Sequence, residues 1–232
     1  VKFGVYITFD VEYSMGGAWA DPAAIPCVPP SRAILGEYGD RAMGLPLICD
    51  ILDRHDLRAS FFVEAFIEEQ GYPGEGERIC HYLLERGQDV QLHIHPNHKH
   101  FDLHRRGLPY TRTDQIAELP PEQQRALLEE GRDRIERWIG RRPAAFRAGN
   151  MGASEETLEQ LAAVGIRIDS SYTFPYVSGQ CRFADRERYN GSKWYGQVLE
   201  VALSGFVQPR LPGLRPAKPL DLVGISAGEC QA

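Results

Sequence analysis

Residues 89–96 read DVQLHIHP, and this stretch decides how the rest of the chain is interpreted. Apolar and β-branched side chains alternate with polar ones, which predicts a β-strand over Asp89–His95. Pro96 ends the strand, because proline has no backbone N–H to donate to a sheet. His93 and His95 are two residues apart, so an extended chain presents both imidazoles on one face. The stretch therefore predicts a strand that carries two histidines at its carboxyl end.

Similar strands alternate with amphipathic helices on both sides of this stretch. We predict strands at Lys2–Phe9, Arg58–Phe66, Ala144–Ala148, Ile166–Ser170 and Lys193–Leu203, and helices at Arg41–His55, Glu77–Arg86, Pro121–Trp138 and 156–164. Residues 14–39 and 98–119 are predicted to form irregular walls above the strand ends. The alternation predicts an α/β fold with a parallel sheet, either open or closed into a barrel. Active sites in such folds lie at the carboxyl ends of the strands.

Length and composition predict one globular domain over residues 1–232. Apolar residues make up 43% and charged residues 25%, which is ordinary for a globular protein. The formal net charge is −6, the opposite of what a phosphate-binding protein carries, so neither nucleic acid nor anionic membranes are expected as partners. No apolar run reaches the roughly 20 residues of a membrane span, so no membrane insertion is expected.

Cysteine usage and the first residues predict where the protein works. The five cysteines are scattered and contain no CxxC pair, which favours a reducing compartment. The stretch VKFGVYITFD lacks the basic start and the cleavage site of a signal peptide, although an upstream segment could have been removed. A cytoplasmic location is the expectation.

Charged residues follow several of the predicted strands. Asp10 and Glu12 share a face at the end of the first strand, where they form either half of a cation site or a solvated turn. His93 and His95 supply the other half of a zinc-type site, and the two pairs together favour a metal. Arg147 could hold a carboxylate ionised or form an ordinary ion pair at the surface. Asp169 could brace that arginine or start a turn.

Five motifs in order resemble the polysaccharide deacetylase family, also called the NodB-homology or carbohydrate esterase family 4. They are TFDVE (8–12), SFFVE (60–64), QLHIHP (91–96), FRAG (146–149) and IDSS (168–171). The resemblance covers residues 2–203 and is greatest to the branch with D-x-E and H-x-H-P motifs. It implies a distorted (β/α) barrel of about seven parallel strands. It also implies a metal-dependent amide hydrolase that removes N-acetyl groups from sugars of surface polysaccharides.

The resemblance assigns roles to the acidic residues and the arginine. Asp10 matches the catalytic base of the family, and Arg147 matches the arginine that orients this base. Asp169 matches an acid near that pair, so Asp10, Arg147 and Asp169 form the predicted catalytic set. Val11 stands where the family has a metal-binding aspartate, and Glu12 is its natural substitute.

The histidine motif also departs from the usual family pattern. His93 matches the first metal-binding histidine, but Asn97 stands at the place of the second. His95 is then the better ligand and His98 the reserve, so Glu12, His93 and His95 are the predicted ligands of a divalent metal, expected to be Zn²⁺. The late histidine that gives the family a general acid has no counterpart, since no histidine follows His104.

The expected function is removal of an N-acetyl or similar N-acyl group from an amino sugar of a surface polysaccharide or its precursor. The expected partner is therefore a carbohydrate substrate, with Trp19, Tyr38, Tyr110 and Arg112 as candidate sugar contacts or ordinary loop-packing residues. Two alternatives remain open. One is a C–N hydrolase acting on a different small amide, and the other is an inactive carbohydrate-binding homologue.

Overall fold

A computed structural model describes residues 4–177, 179–207 and 217–221. The strands are β1 (Thr8–Val11), β2 (Glu37–Tyr38), β3 (Arg41–Ala42), β4 (Ser60–Glu64), β5 (Asp89–Ile94), β6 (Ala145–Ala148), β7 (Ile168–Asp169), β8 (Ser192–Tyr195), β9 (Val198–Val201), β10 (Gly205–Val207) and β11 (Ala217–Pro219). The α-helices are α1 (Pro30–Ala33), α2 (Leu45–Arg54), α3 (Glu75–Glu85), α4 (Pro96–Arg105), α5 (Pro121–Ile139) and α6 (Glu155–Ala163).

Seven strands form the main sheet, in the order β1-β4-β5-β6-β7-β9-β8. All neighbours are parallel except β8 and β9, which are antiparallel. The predicted α/β fold with a mostly parallel sheet is confirmed, but the seventh strand runs antiparallel. The reason is a turn at Gly196, whose φ of +58° is available to glycine. This turn divides the predicted strand Lys193–Leu203 into a hairpin.

The first strand begins later than the sequence predicts. β1 pairs with β4 from Thr8, opposite Ser60, and residues 4–7 are not part of the sheet. Val5 and Tyr6 are 88% and 82% exposed, so the prediction of a buried strand is wrong for this part. Residues 1–3 of the predicted strand lie outside the described residues.

Two helix predictions also need correction. α2 starts at Leu45 instead of Arg41, because residues 41–42 pair with residues 37–38 in a small antiparallel hairpin. Helix α4, which carries His98, His100 and His104, was predicted as irregular wall. Its polar sequence hides the helical period, although Pro96 at its start is a common first residue of a helix.

Alternation along the parallel strands divides the sheet into two faces. Val11, Val63, Leu92 and Phe146 are register neighbours on one face, and all four belong to the main hydrophobic core. Helix α5 packs closely on this face, since a Cβ at Gly131 would approach Ile94 Cδ1 to 2.8 Å. Asp10, His93 and Arg147 alternate with these core residues, so their side chains leave from the opposite face.

The described residues include no helix with the length and apolarity needed to cross a bilayer. Four of the cysteines lie among them, and all four are buried free thiols.

Candidate metal centre and active site

The side chains of Glu12, His93 and His95 meet at the carboxyl ends of β1 and β5. Glu12 Oε2 lies 3.2 Å from His93 Nε2 and 2.5 Å from His95 Nε2. One potential ligand atom from each residue lies within 4.8 Å of the others. Val11 between the acids is buried in the core, which leaves Glu12 on the face of the histidines. The structure thus brings the three predicted ligands together.

The ring of His93 is oriented by the sheet. His93 and Arg147 are register partners on β5 and β6, and His93 Nδ1 lies 2.9 Å from the backbone oxygen of Arg147. A carbonyl oxygen only accepts hydrogen bonds, so Nδ1 must carry the proton. In the neutral ring, the lone pair then lies on Nε2, the atom that faces Glu12.

The ring of His95 is oriented by a carboxylate that the sequence did not single out. His95 Nδ1 donates to Asp114 Oδ2 at 3.0 Å, and Asn150 Nδ2 donates to the same oxygen. The backbone N–H of His95 donates to Glu64 Oε2 at 2.7 Å, and Glu64 is fully buried at the end of β4. Glu64 could have been suspected as an acid at a parallel strand end, but Asp114 follows no strand and gives no such signal.

His98, the reserve ligand, is directed elsewhere. Its ring stacks on His95 with centroids 4.9 Å apart. Its Nδ1 lies 3.4 Å from Glu64 Oε2 and has no hydrogen-bond partner among the described residues. The geometry favours His95 over His98 as the companion of His93.

Electrostatics couple the three predicted ligands. Burial raises the pKa of Glu12, but hydrogen bonds from His93 and His95 outweigh it and bring this pKa far below its usual value. Burial lowers the pKa of His93, while the charge of Asp10 and the hydrogen bond with Glu12 raise it further, to a net increase. The pKa of His95 rises well above its usual value, because Asp114 and Glu12 outweigh the effect of burial. The site therefore favours positive charge between the imidazoles and the carboxylate.

This donor set fits a divalent metal. With both rings neutral, two Nε2 lone pairs and a carboxylate oxygen would face one another, so either a proton or a cation must lie between them. Two imidazoles and a carboxylate are a usual ligand set for zinc, and such sites keep an open position for water or substrate.

Asp10 forms an ion pair beside these ligands. Arg147 Nη1 donates to Asp10 Oδ1 at 2.7 Å, and Nη2 donates to Thr8 Oγ1 at 2.9 Å. The Arg147 side chain is 3% exposed, its Nε donates to the backbone oxygen of Ser170, and its guanidinium lies 4.1 Å from the centre of the Phe62 ring. Asp10 is 25% exposed, so this carboxylate is held in one orientation while remaining open to solvent.

Asp169 lies apart from that pair, although its strand ends at the same edge of the sheet. Its register partners are Phe146 and Glu200, so it leaves the sheet on the core face, opposite to Arg147. Its carboxylate accepts from the Ser171 hydroxyl and backbone N–H and shares a hydrogen bond with Glu200. The structure therefore brings together Asp10 and Arg147 of the predicted catalytic set, but not Asp169.

Glu200 is a buried acid that the sequence reasoning missed. Its residue is fully buried, and Oε1 accepts from the backbone N–H of Tyr172 at 2.9 Å. Burial and the charge of Asp169 raise the pKa of Glu200 well above its usual value. Burial likewise raises the pKa of Asp169, so this carboxyl pair holds a proton that two solvated carboxylates would lose.

A cavity of about 320 Å³ opens beside the three predicted ligands. It is lined by Glu12, Met15, Trp19, His95, Asn97, His98, Asp114 and Asn150. Buried polar atoms without a partner among the described residues include Asn97 Oδ1 and Asp114 Oδ1. Trp19 packs against Tyr110 and lies under Arg112, whereas Tyr38 is exposed on β2 and is not a lining residue.

The sequence model of the polysaccharide deacetylases matches residues 33–168, more than half of the chain. The chain belongs to the polysaccharide deacetylase family. The match contains His93, His95 and Arg147, but it begins after Asp10 and Glu12. This agrees with the departure of the first motif from the usual family pattern. No curated protein matches the chain.

Solved structures show the same fold. A Mycobacterium smegmatis protein assigned to the polysaccharide deacetylases is 18% identical, with a TM-score of 0.56, and the match covers 85% of this chain and 57% of that one. A family 4 carbohydrate esterase from Streptomyces lividans, in complex with acetate, is 15% identical over 72% of this chain and 60% of that one, with a TM-score of 0.43. A CE4 family pseudoenzyme from Bacillus anthracis is 16% identical over 68% of this chain and 40% of that one, with a TM-score of 0.41. The chain thus spans less than two thirds of the length of these proteins.

Proposed function

We propose that the protein is a metal-dependent hydrolase that removes an N-acetyl or similar N-acyl group from an amino sugar of a surface polysaccharide or its precursor. The observation that carries the proposal is the meeting of Glu12, His93 and His95 at a cavity, with the Asp10–Arg147 pair beside them. When bound, a divalent metal such as Zn²⁺ would polarise the acyl carbonyl and lower the pKa of the attacking water.

The chain's own residues divide the remaining work. Asp10 accepts the proton of the attacking water, and Arg147 keeps this carboxylate ionised and oriented towards the site. Glu12, His93 and His95 hold the metal through one oxygen and two Nε2 atoms. Phe62 packs against the guanidinium of Arg147 and limits its movement.

The cavity supports a polar substrate. Asn97 and Asp114 present buried oxygens without partners, which can accept hydrogen bonds from the hydroxyl or amide groups of a sugar. Trp19 contributes an apolar wall that suits the C–H face of a pyranose ring.

One observation favours a second candidate, a C–N hydrolase that acts on a different small amide. The resemblance assigns protonation of the leaving amine to a late histidine, and the sequence has none after His104. A reaction with a different leaving group would need a different proton donor.

The test measures metal binding and product release on the same purified chain. Zn²⁺ titration is expected to reach one ion per chain, and the loaded protein is expected to release acetate from an oligosaccharide of β-1,4-linked N-acetylglucosamine. Chelation and the His93→Ala substitution should both abolish release. Formate release from a small N-formyl amide, without acetate release from the sugar, would favour the second candidate. A chain that binds no divalent metal would contradict both hydrolases and support an inactive carbohydrate-binding homologue.

A further inference from the structure

We propose that Asp114, itself held by Asn150, is the positioning residue that fixes the His95 ring with Nε2 directed at Glu12. The inference rests on the metal-binding role proposed above and extends it to two residues outside the family motifs. Asp114 lies in the segment between α4 and α5, and Asn150 follows β6.

The contact between His95 and Asp114 specifies one tautomer. His95 Nδ1 and Asp114 Oδ2 are 3.0 Å apart, and the His95 side chain is only 9% exposed. A carboxylate accepts but does not donate, so the proton must lie on Nδ1 and the lone pair on Nε2. A carboxylate behind a metal-binding imidazole also makes the ring a better donor to the metal.

Asn150 holds the carboxylate of Asp114 in place. Its Nδ2 donates to the same Oδ2 atom that His95 uses. The backbone of Asn150 has φ = +54°, in the left-handed region that asparagine tolerates better than most residues. Met151 follows with φ = +55°. Two successive residues of this kind persist only where surrounding contacts determine them, and here they aim the Asn150 amide at Asp114.

The same segment contacts the His95 ring directly. A Cβ at Gly149 would lie 2.5 Å from His95 Cγ and Nδ1, so the ring packs against bare backbone. Residues 149 and 150 thus define His95 from two directions, by packing on the ring and by orienting its hydrogen-bond partner.

The test compares Zn²⁺ affinity by competition with a chromophoric chelator at one fixed pH. Removing such a partner typically weakens metal binding by roughly 10–100-fold, and we expect a loss of this size for Asp114→Ala. Asp114→Asn keeps an acceptor but loses the charge, so its affinity should fall between Asp114→Ala and wild type. Asn150→Gly keeps the left-handed backbone and removes only the amide, and its affinity should fall less than that of Asp114→Ala.

A matched control and a spectroscopic signature separate positioning from general damage. Asp102→Asn changes an acid of similar exposure, 30% against 29%, whose partners are Arg105 and Arg106. Its affinity should equal wild type. In zinc-loaded protein labelled with ¹⁵N-histidine, the His95 ring should give a protonated Nδ1 signal that is lost or exchange-broadened in Asp114→Ala.

The outcomes distinguish this inference from the proposed function. If wild type binds Zn²⁺ tightly and both Asp114 variants stay within about twofold of it, the positioning role is wrong and the metal site stands. If Asp114→Ala does not fold, the folded Asp114→Asn variant decides through the same affinity and the same Nδ1 signal. If wild type binds no divalent metal, the proposed function fails, and the positioning role fails with it.

Discussion

His93 and His95 stand two residues apart, yet their rings are held by different parts of the molecule. The backbone oxygen of Arg147, on the neighbouring strand, accepts from His93, so the sheet register sets this ring whatever side chain residue 147 carries. A side chain from a segment without a strand, Asp114, accepts from His95. The comparison separates a sheet half of the site, comprising Asp10, His93 and Arg147, from a loop half comprising His95, Asp114 and residues 149–150.

The difference teaches which changes the site can tolerate. A backbone oxygen cannot be altered by substitution, so the anchor of His93 persists as long as the sheet forms. The anchor of His95 depends on two side chains and one glycine, each of which a single substitution can remove. Metal affinity should therefore be tunable through the loop half, whereas the chemistry of Asp10 belongs to the sheet half.

The largest expected effect is in the sheet half. Asp10→Asn removes the proposed base but keeps the size of the side chain, so kcat should fall by roughly 10²–10⁴-fold while metal content stays at the wild-type level. Metal content and acetate release measured on one preparation test this. Glu12→Gln is the matched control, and it should lose metal. Metal loss in Asp10→Asn, beside a metal-loaded but inactive Glu12→Gln, would reverse the roles of the two carboxylates.

Arg147→Lys should separate catalysis from metal binding. The backbone oxygen of residue 147 remains, so the anchor of His93 and the metal affinity should not change. The forked contact to Asp10 and Thr8 is lost, because lysine offers one point charge in place of a planar fork. A misplaced base costs up to about 10²-fold in rate, and kcat should fall by up to this amount. Arg141→Lys, an exposed ion pair with Asp89, is the control. Reduced metal affinity in Arg147→Lys would show that the two halves are not independent.

The sheet half could be predicted from sequence because its signals are periodic. Spacing of two on an extended chain places Asp10 with Glu12 and His93 with His95, and parallel strands bring such ends together. The order of strands followed from alternation with helices. The motifs then supplied Arg147.

The loop half could not be predicted in the same way. Asp114 lies outside any regular element, so no period indicates its direction, and its contact with His95 depends on the path of residues 106–116. Asp169 shows the opposite difficulty. Its position at a strand end was predicted, but its direction depends on register, and the register turns it towards Glu200.

Gly149→Ala tests the loop half by packing alone. The added methyl would overlap the His95 ring, so the ring must move or the segment must shift. Zn²⁺ affinity should fall by about 10-fold, at the lower end of the range for altered support of a ligand. Gly191→Ala, where an added Cβ meets nothing within 4 Å, is the control and should bind like wild type. Unchanged affinity in Gly149→Ala would show that His95 does not depend on this contact.

The smallest effect is expected behind the sheet half, at the Asp169–Glu200 pair, and it concerns stability. Both pKa values are raised in the folded protein, so the folded state retains a proton at a pH where the unfolded chain, with pKa values of about 3.9 and 4.3, has lost it. Stability is then fully present below these unfolded values and declines as the pH rises towards the folded pKa, by up to about 1.4 kcal/mol per pH unit for one proton. Glu200→Gln imitates the protonated acid, so its melting temperature should match wild type at acidic pH and exceed it as the pH rises, with Zn²⁺ affinity unchanged. Melting curves of both proteins from pH 5 to about pH 9 measure this difference. Parallel curves would show that the pair holds no extra proton. Asp169→Asn then tests the role that the family resemblance gives this residue, because a large loss of kcat with a Glu200→Gln-like stability profile would make Asp169 part of the catalytic half despite its direction.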